Sequence, residues 1–256
     1  MTIYSDRDEL QIKKRLLDLA NKSFRQNTFC FTGFLSLAEQ DIYFRMEKEL
    51  LFSHPALFGG DNQAERKMIR FGSLEDLGYE EDYPITCIHV KPLLSKFSDD
   101  FSHRDFLGAL MNLGMERDCI GDIRIGNKEG YLYCKSTMAD FVCENLIKIK
   151  HTHVKCEIVI QIGETGLEAP SEQDVVVGSL RIDACLSKIY NISRAESITL
   201  FIEKKVFANG RLVENNSRSL KQGEIVSVRG YGKFLFQEIK YETKKGKYCL
   251  SVALYR

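Results

Sequence analysis

The sequence has no tryptophan, four prolines in 256 residues, and no C-x-x-C pair among its eight cysteines. Scattered cysteines do not make a disulfide framework; they read as small apolar residues of a reducing compartment. Zinc needs clustered ligands. The nearest approach is His151, His153 and Cys156, and partly exposed strand residues are the plainer reading of that trio. No apolar run reaches the ~18 residues that span a bilayer. The charged start, Met1 to Glu9, lacks an apolar leader core, so a cytoplasmic protein with no membrane partner is expected. Also missing are a P-loop and a Gly-rich turn that would hold a dinucleotide or S-adenosylmethionine. No cofactor, metal or small-molecule substrate is therefore expected.

Net charge is absent too, but its zero is a sum of unlike halves. Residues 175–256 hold 15 Lys and Arg against 7 Asp and Glu, while residues 1–174 hold 21 against 29. A basic tail of net +8 on an acidic body points to a polyanionic partner for the tail.

Periodicity divides the chain into segments of an α+β protein. Residues 1–80 read as helical, with Ser5/Asp8 as a first capping box. A stripe follows through Leu10, Lys13, Leu17, Ala20 and Phe24. Ser36 and Glu39 form a clearer box opening a helix to about Leu51. Gly59-Gly60 then makes a turn leading into another short helix. Residues 83–162 follow the order β-α-β-β-α-β, a ferredoxin-like, RNA-recognition-motif-like middle domain. Its elements are Ile85–Val90, a helix from His103 capped by Ser102, Cys119–Ile125, Gly130–Cys134, a helix over Thr137–Ile149, and Val154–Ile160. Gly126-Asn127 marks the hairpin. Tyr131 and Tyr133 share one face and could stack on bases or pack inward. Residues 163–174 read as a linker, 175–240 as a small α+β domain and 241–256 as a C-terminal strand or tail.

The small domain carries the most specific signals. Arg181-Ile182-Asp183 opens a short helix with Ile182, Leu186 and Ile189 inward. Ser193 with Glu196 caps a second, whose apolar side is Ile198, Phe201 and Ile202. Asn209-Gly210 between Val206-Phe207-Ala208 and Arg211-Leu212-Val213 is a hairpin turn. Arg181, Arg194, Lys205, Asn209 and Arg211 are expected on one side, where cations meet phosphates and neutral donors fix register.

These residues resemble the S-four-type (αL-like) RNA-binding domain. Arg181-x-Asp183, Leu186, Ser193-Arg194, Val206, Asn209-Gly210 and Gly223-Glu-Ile match its pattern. Ser197 stands where that family has Ala, and Lys204 where it has Gly, so the second helix is open to ending differently. Ala20 to Gln40, Gly59-Gly60 with Ala64–Arg66, His103 to Leu110, Gly114, Arg117, Ile120–Ile123 and Arg229 to Phe234 are similar to the YlmH family. The resemblance implies binding to RNA (large-subunit rRNA and tRNA) on a ribosomal subunit carrying peptidyl-tRNA, in ribosome-associated quality control. The RNA-contacting residues expected are Arg181, Ile182, Ser193, Arg194, Ser197, Lys204, Lys205, Asn209, Arg211, Arg229 and Lys233.

A catalytic reading would make His103 a base oriented by Asp105. Adjacent helical residues do not face each other, so Asp105 is better read as a helix-start acid and Arg104 as salt-bridged or facing RNA. A non-catalytic binding protein is expected. An RNA-modifying enzyme with an appended binding domain, and a cell-division interaction scaffold, remain the alternatives.

Overall fold

The computed structural model describes residues 6–62, 64–126, 128–160 and 170–255. Ser5, Asn127 and most of the expected linker lie outside them. The chain forms two compact units, one within Tyr4–Glu168 and one within Ala169–Arg256.

The first unit starts with α1 (Asp6–Gln26), β1 (Cys30–Phe31), α2 (Leu37–Leu50), β2 (Ala56–Phe58), β3 (Met68–Phe71) and the one-turn α3 (Leu74–Leu77). The expected all-helical segment therefore contains an antiparallel sheet in the order β1-β3-β2. The Gly59-Gly60 turn runs into β3, not into a helix. The stripe on α1 is also corrected: Leu16 and Ala20 are buried, whereas Leu10 and Phe24 face outward at 70% and 63% exposure. Buried Ser23 completes the inner face, a polar residue that masked the true phase of the helix. The box of Ser36 and Glu39 does open α2, each side chain taking the other's backbone N–H.

The unit continues with β4 (Ile85–Pro92), α4 (His103–Asn112), β5 (Ile120–Gly126), β6 (Glu129–Lys135), α5 (Ala139–Asn145), β7 (Lys148–Ile149) and β8 (Thr152–Val159). The expected long second helix stops at Asn145, and Lys148–Ile149 pairs with β8 instead. The sheet runs β5-β6-β4-β8-β7 with antiparallel neighbours throughout. Phe106 and Leu110 of α4 and Ala139 and Val142 of α5 pack with Ile88, Val90, Leu132 and Val154, so both helices cover one face. The other face holds Cys87, Tyr131 and Tyr133, packed with Phe34 and Met68 from the first eighty residues. That face would be the stacking platform of an RNA-recognition motif, and here it is interior. Both tyrosines are buried, which settles their choice between bases and core.

The second unit comprises β9 (Ser171–Val177), α6 (Ile182–Ile189), α7 (Arg194–Ile202), β10 (Val206–Ala208), β11 (Arg211–Leu212), β12 (Ile225–Val228), β13 (Gly232–Glu242) and β14 (Tyr248–Tyr255). Its sheet order is β11-β10-β12-β13-β14-β9. Residues 241–256 are no appendage: β14 lies between β13 and β9 with Leu250, Val252 and Leu254 in the core. Residues 171–174 belong to β9, not to a linker. Both helices lie on this core through Ile182, Leu186, Ile189, Leu200 and Phe201. Ile202, expected inward, is 75% exposed, and Ser197 takes the inner position.

Candidate functional site

The second unit is organised around a carboxylate. Asp183 has a side chain with no exposed surface, near the start of α6. Burying a charge is costly unless it is paired and hydrogen-bonded. Arg181 meets it with two bonds, Nε to Oδ1 at 3.2 Å and Nη2 to Oδ2 at 2.9 Å. Arg194 Nη2 donates to Oδ1 at 3.1 Å, and Asn216 Nδ2 donates to Oδ2 at 3.0 Å. Burial pushes the Asp183 carboxyl up, but the Arg181 and Arg194 guanidiniums outweigh it, so its pKa falls below the ordinary value. Each arginine stays about half open, at 43% and 51% side-chain exposure. A guanidinium has five N–H donors, so both retain donors for an outside acceptor. The buried acid thus fixes two cations at the surface in one geometry.

Neighbouring groups lock this arrangement. Ser197 Oγ donates to the Asp183 carbonyl at 2.8 Å, tying α7 to α6. Ser193 Oγ accepts from the Glu196 N–H and caps α7. The Glu196 carboxylate is taken by the Tyr231 hydroxyl at 2.8 Å, so the reciprocal half of the expected box is absent.

Two expected contacts are corrected. Ile182 and Ser197 are fully buried, Ile182 in the core and Ser197 in the inter-helix bond, so neither side chain reaches a ligand. Asn216 was missed. Its only signal was a polar Asn215-Asn216-Ser217 loop after the hairpin.

Lys204 does not change how α7 ends. Its φ of 53° is left-handed, its N–H donates to the Phe201 carbonyl, and the Lys205 N–H donates to that of Leu200. These are the two bonds of a Schellman cap, which glycine makes without strain. Lys204→Gly is therefore expected to stabilise the chain by roughly 0.5–1 kcal/mol, relief of strain being partly offset by a freer unfolded chain. A urea unfolding midpoint measures it.

At the hairpin, Asn209 and Gly210 both have positive φ, as a two-residue turn requires. The Ile225 N–H donates to Asn209 Oδ1 at 2.9 Å and the Asn209 N–H returns a bond to the Ile225 carbonyl. The Asn209 amide oxygen thus locks the turn to β12, and Arg211 stands exposed just past the tip.

The expected RNA-contacting residues fall on two sides of the sheet. Val206, Ala208, Val226 and Phe234 point into the core beneath the helices. Side chains alternate along strands, so Phe207, Ser227 and Lys233, which pair across β10, β12 and β13, point the other way. Lys233 Nζ lies 5.2 Å from the Tyr255 ring and the Arg229 guanidinium 5.1 Å from the Phe207 ring. Arg229 and Lys233 therefore belong to the back of the sheet, apart from Arg181 and Arg194. Lys205 is half-buried and paired with Glu203 at 2.7 Å.

In the first unit, the motif residues Arg66, Arg117 and Asp122 form internal braces. Asp122 accepts the Glu65 and Arg66 N–H groups at 2.8 and 2.9 Å. Arg66 donates to the carbonyls of Ile120, Phe34 and Arg117. Burial, with Arg66 close by, lowers Arg117 to about 10. Asp61 accepts from Arg124 at 2.6 Å and from the Tyr133 hydroxyl at 3.1 Å. Gly60, at φ 105°, lies against the Tyr133 ring, so the Gly pair serves packing.

The His103–Asp105 run does not assemble a base and its orienter. Asp105 bonds the Ser102 N–H and hydroxyl and pairs with Lys150. Partial burial and the positive charge of Arg117 hold His103 below its ordinary pKa. Ser73, His54 and Asp76 do meet at the surface, but the Ser73 hydroxyl donates to Asp76 at 2.6 Å, which leaves it unactivated. Among the described residues, no three His, Cys, Asp or Glu side chains converge on a possible metal position.

A family model described as "Putative RNA-binding domain in YlmH" matches residues 79–161. The chain is 31% identical over 198 residues to the "Ribosome-associated protein quality control protein P2" of Bacillus subtilis, covering 75% of each chain. A solved structure titled "Cell division protein ylmH from Streptococcus pneumoniae" aligns at a TM-score of 0.47 and 14% identity. That alignment covers 62% of this chain and 94% of the other.

Proposed function

Because the chain belongs to the YlmH family, we propose that it is a non-catalytic RNA-binding protein of the large ribosomal subunit. On this reading it engages rRNA and peptidyl-tRNA during quality control of stalled translation in the cytoplasm. The observation that carries it is buried Asp183 holding Arg181 and Arg194 half-exposed on one side of α6 and α7. Planar, fixed guanidiniums suit bidentate phosphate contacts better than freely moving lysines. Ser193, Lys204, Lys205, Asn209 and Arg211 extend the surface from the helix start to the hairpin. Arg229 and Lys233 touch RNA only where it passes around to the other side of the sheet.

Salt tests this reading on the full chain. Co-sedimentation with isolated large subunits should weaken by roughly a hundredfold from about 50 to about 200 mM salt, if about four phosphates are neutralised. Small subunits should bind less. Crosslinking should return large-subunit rRNA and tRNA. A salt-flat association would instead fit a protein–protein scaffold, and a single modified nucleotide would fit an enzyme.

A further inference from the structure

The region matched as an RNA-binding domain has its sheet face buried, yet an open groove lies on its helical side. It has a volume of about 520 Å³ and lies between α4 and the α5–β7 connection. We propose that this groove takes the sugar–phosphate backbone of RNA, as a second contact separate from the Asp183 surface; the proposal rests on the RNA-binding reading above.

Three cations line the groove, Arg104, Lys148 and Lys150, against one carboxylate, Asp105. The first 174 residues carry 29 acids to 21 bases, so this is a local reversal of sign. Lys150 is paired with Asp105 and held in a left-handed turn at φ 53°. Arg104 and Lys148 are exposed, and neither has an ion pair among the described residues. Solvated cations held in no ion pair are available to phosphates.

The wall between them is built for close approach. Arg104, Gly108 and Asn112 are spaced four apart and share one side of α4. A Cβ added at Gly108 would meet nothing within 4 Å, so no neighbour in the fold requires glycine there. Glycine inside a helix nevertheless lowers its stability. What it provides is a gap in the side-chain cover of the helix where it faces the groove, with Ile147, 64% exposed, also lining it. An open gap at Gly108 in a groove lined by three cations fits a ribose–phosphate chain laid against it.

The test uses the full chain, a fluorescent RNA hairpin with a single-stranded tail, and isolated large subunits. Arg104→Glu with Lys148→Glu changes two exposed side chains and should leave thermal unfolding in place. Affinity for the hairpin should fall by roughly tenfold or more, and the slope of log affinity on log salt should shrink by about two. Gly108→Phe should weaken binding by filling the gap while leaving the slope unchanged. Unaltered hairpin affinity and slope in the double variant, with the parent chain binding normally, overturn the groove alone. Weaker binding to subunits with unaltered binding to the hairpin overturns it in favour of an acidic protein. A parent chain that fails to bind RNA overturns the RNA-binding reading itself and the groove with it.

Discussion

A chain carrying Arg181→Gln and Arg194→Gln is expected to lose RNA affinity and fold stability together. From the sequence, both arginines look like surface cations whose removal should leave the fold untouched. The structure reverses that expectation, because both are counterions of a carboxylate with no exposed surface. Without them, among the described residues Asp183 keeps Asn216 and nearby backbone groups. An uncompensated buried charge costs on the order of 3 kcal/mol. A urea midpoint reads this loss, and large-subunit co-sedimentation reads the binding. Adding Asp183→Asn to the pair removes the stranded charge. This triple variant should regain a good part of the stability and none of the affinity, which separates the two roles. If the double variant unfolds like the parent, the anchoring role is wrong. Acid gives an independent check. The Asp183 pKa is depressed in the folded state, so its contribution is present above the unfolded carboxylate value of ~3.9. It is lost as pH falls through the lower folded value. A chain with Asp183→Asn should show a flatter acid limb.

The residues that could be read correctly from sequence were those whose local chemistry is self-contained. Ser36 with Glu39, and Ser102 as the cap of α4, satisfy helix-end N–H groups within four residues, and both caps are present. Asn209-Gly210 needs only its own positive φ values. The order of elements from β4 to β8, except β7, follows from alternation and turn residues. Elements left open by the sequence were those set by distant partners. β14 lacks clean alternation because both its faces are covered, with Leu250, Val252 and Leu254 on one and Cys249, Ser251 and Ala253 on the other. Tyr131 and Tyr133 could stack on bases or pack inward, and Phe34 and Met68, far away in sequence, decide for packing.

The candidate site shows the same division. Arg181, Asp183 and Arg194 were visible as a motif, but the direction of control was not. Asp183 was a pattern letter, and burial makes it the group that positions the others. Arg229 and Lys233, expected as RNA contacts, stand apart from Arg181 and Arg194 for a reason of period two. Lys233 lies one residue from core Phe234, and Arg229 one residue from core Val228, so an inward neighbour turns each away from the helix layer. Lys204 looked like a break in the cap, yet the backbone accepted the strain and kept both cap bonds.

The second large effect is expected in the other unit. Asp122→Ala should destabilise the chain by about 3 kcal/mol, since two charge-assisted bonds to backbone N–H groups are lost at ~1.5–3 kcal/mol each before water replaces them. Those groups, on Glu65 and Arg66, hold the Gly59–Lys67 loop against β5. The loss also leaves Arg66 and Arg117, close neighbours of like charge, without their shared acid. Asp122→Asn keeps one acceptor oxygen and should cost about half as much. Urea unfolding orders the three chains, and hydrogen exchange should show the Glu65 and Arg66 amides opening first. An alanine variant within about 0.5 kcal/mol of the parent, the range of ordinary surface substitutions, would refute the brace. Because Asp122 belongs to neither basic surface, RNA affinity measured below the unfolding transition should stay at the parent value. The family motif Ile120-Gly121-Asp122-Ile123 would then mark a residue kept for holding a loop rather than for touching a ligand.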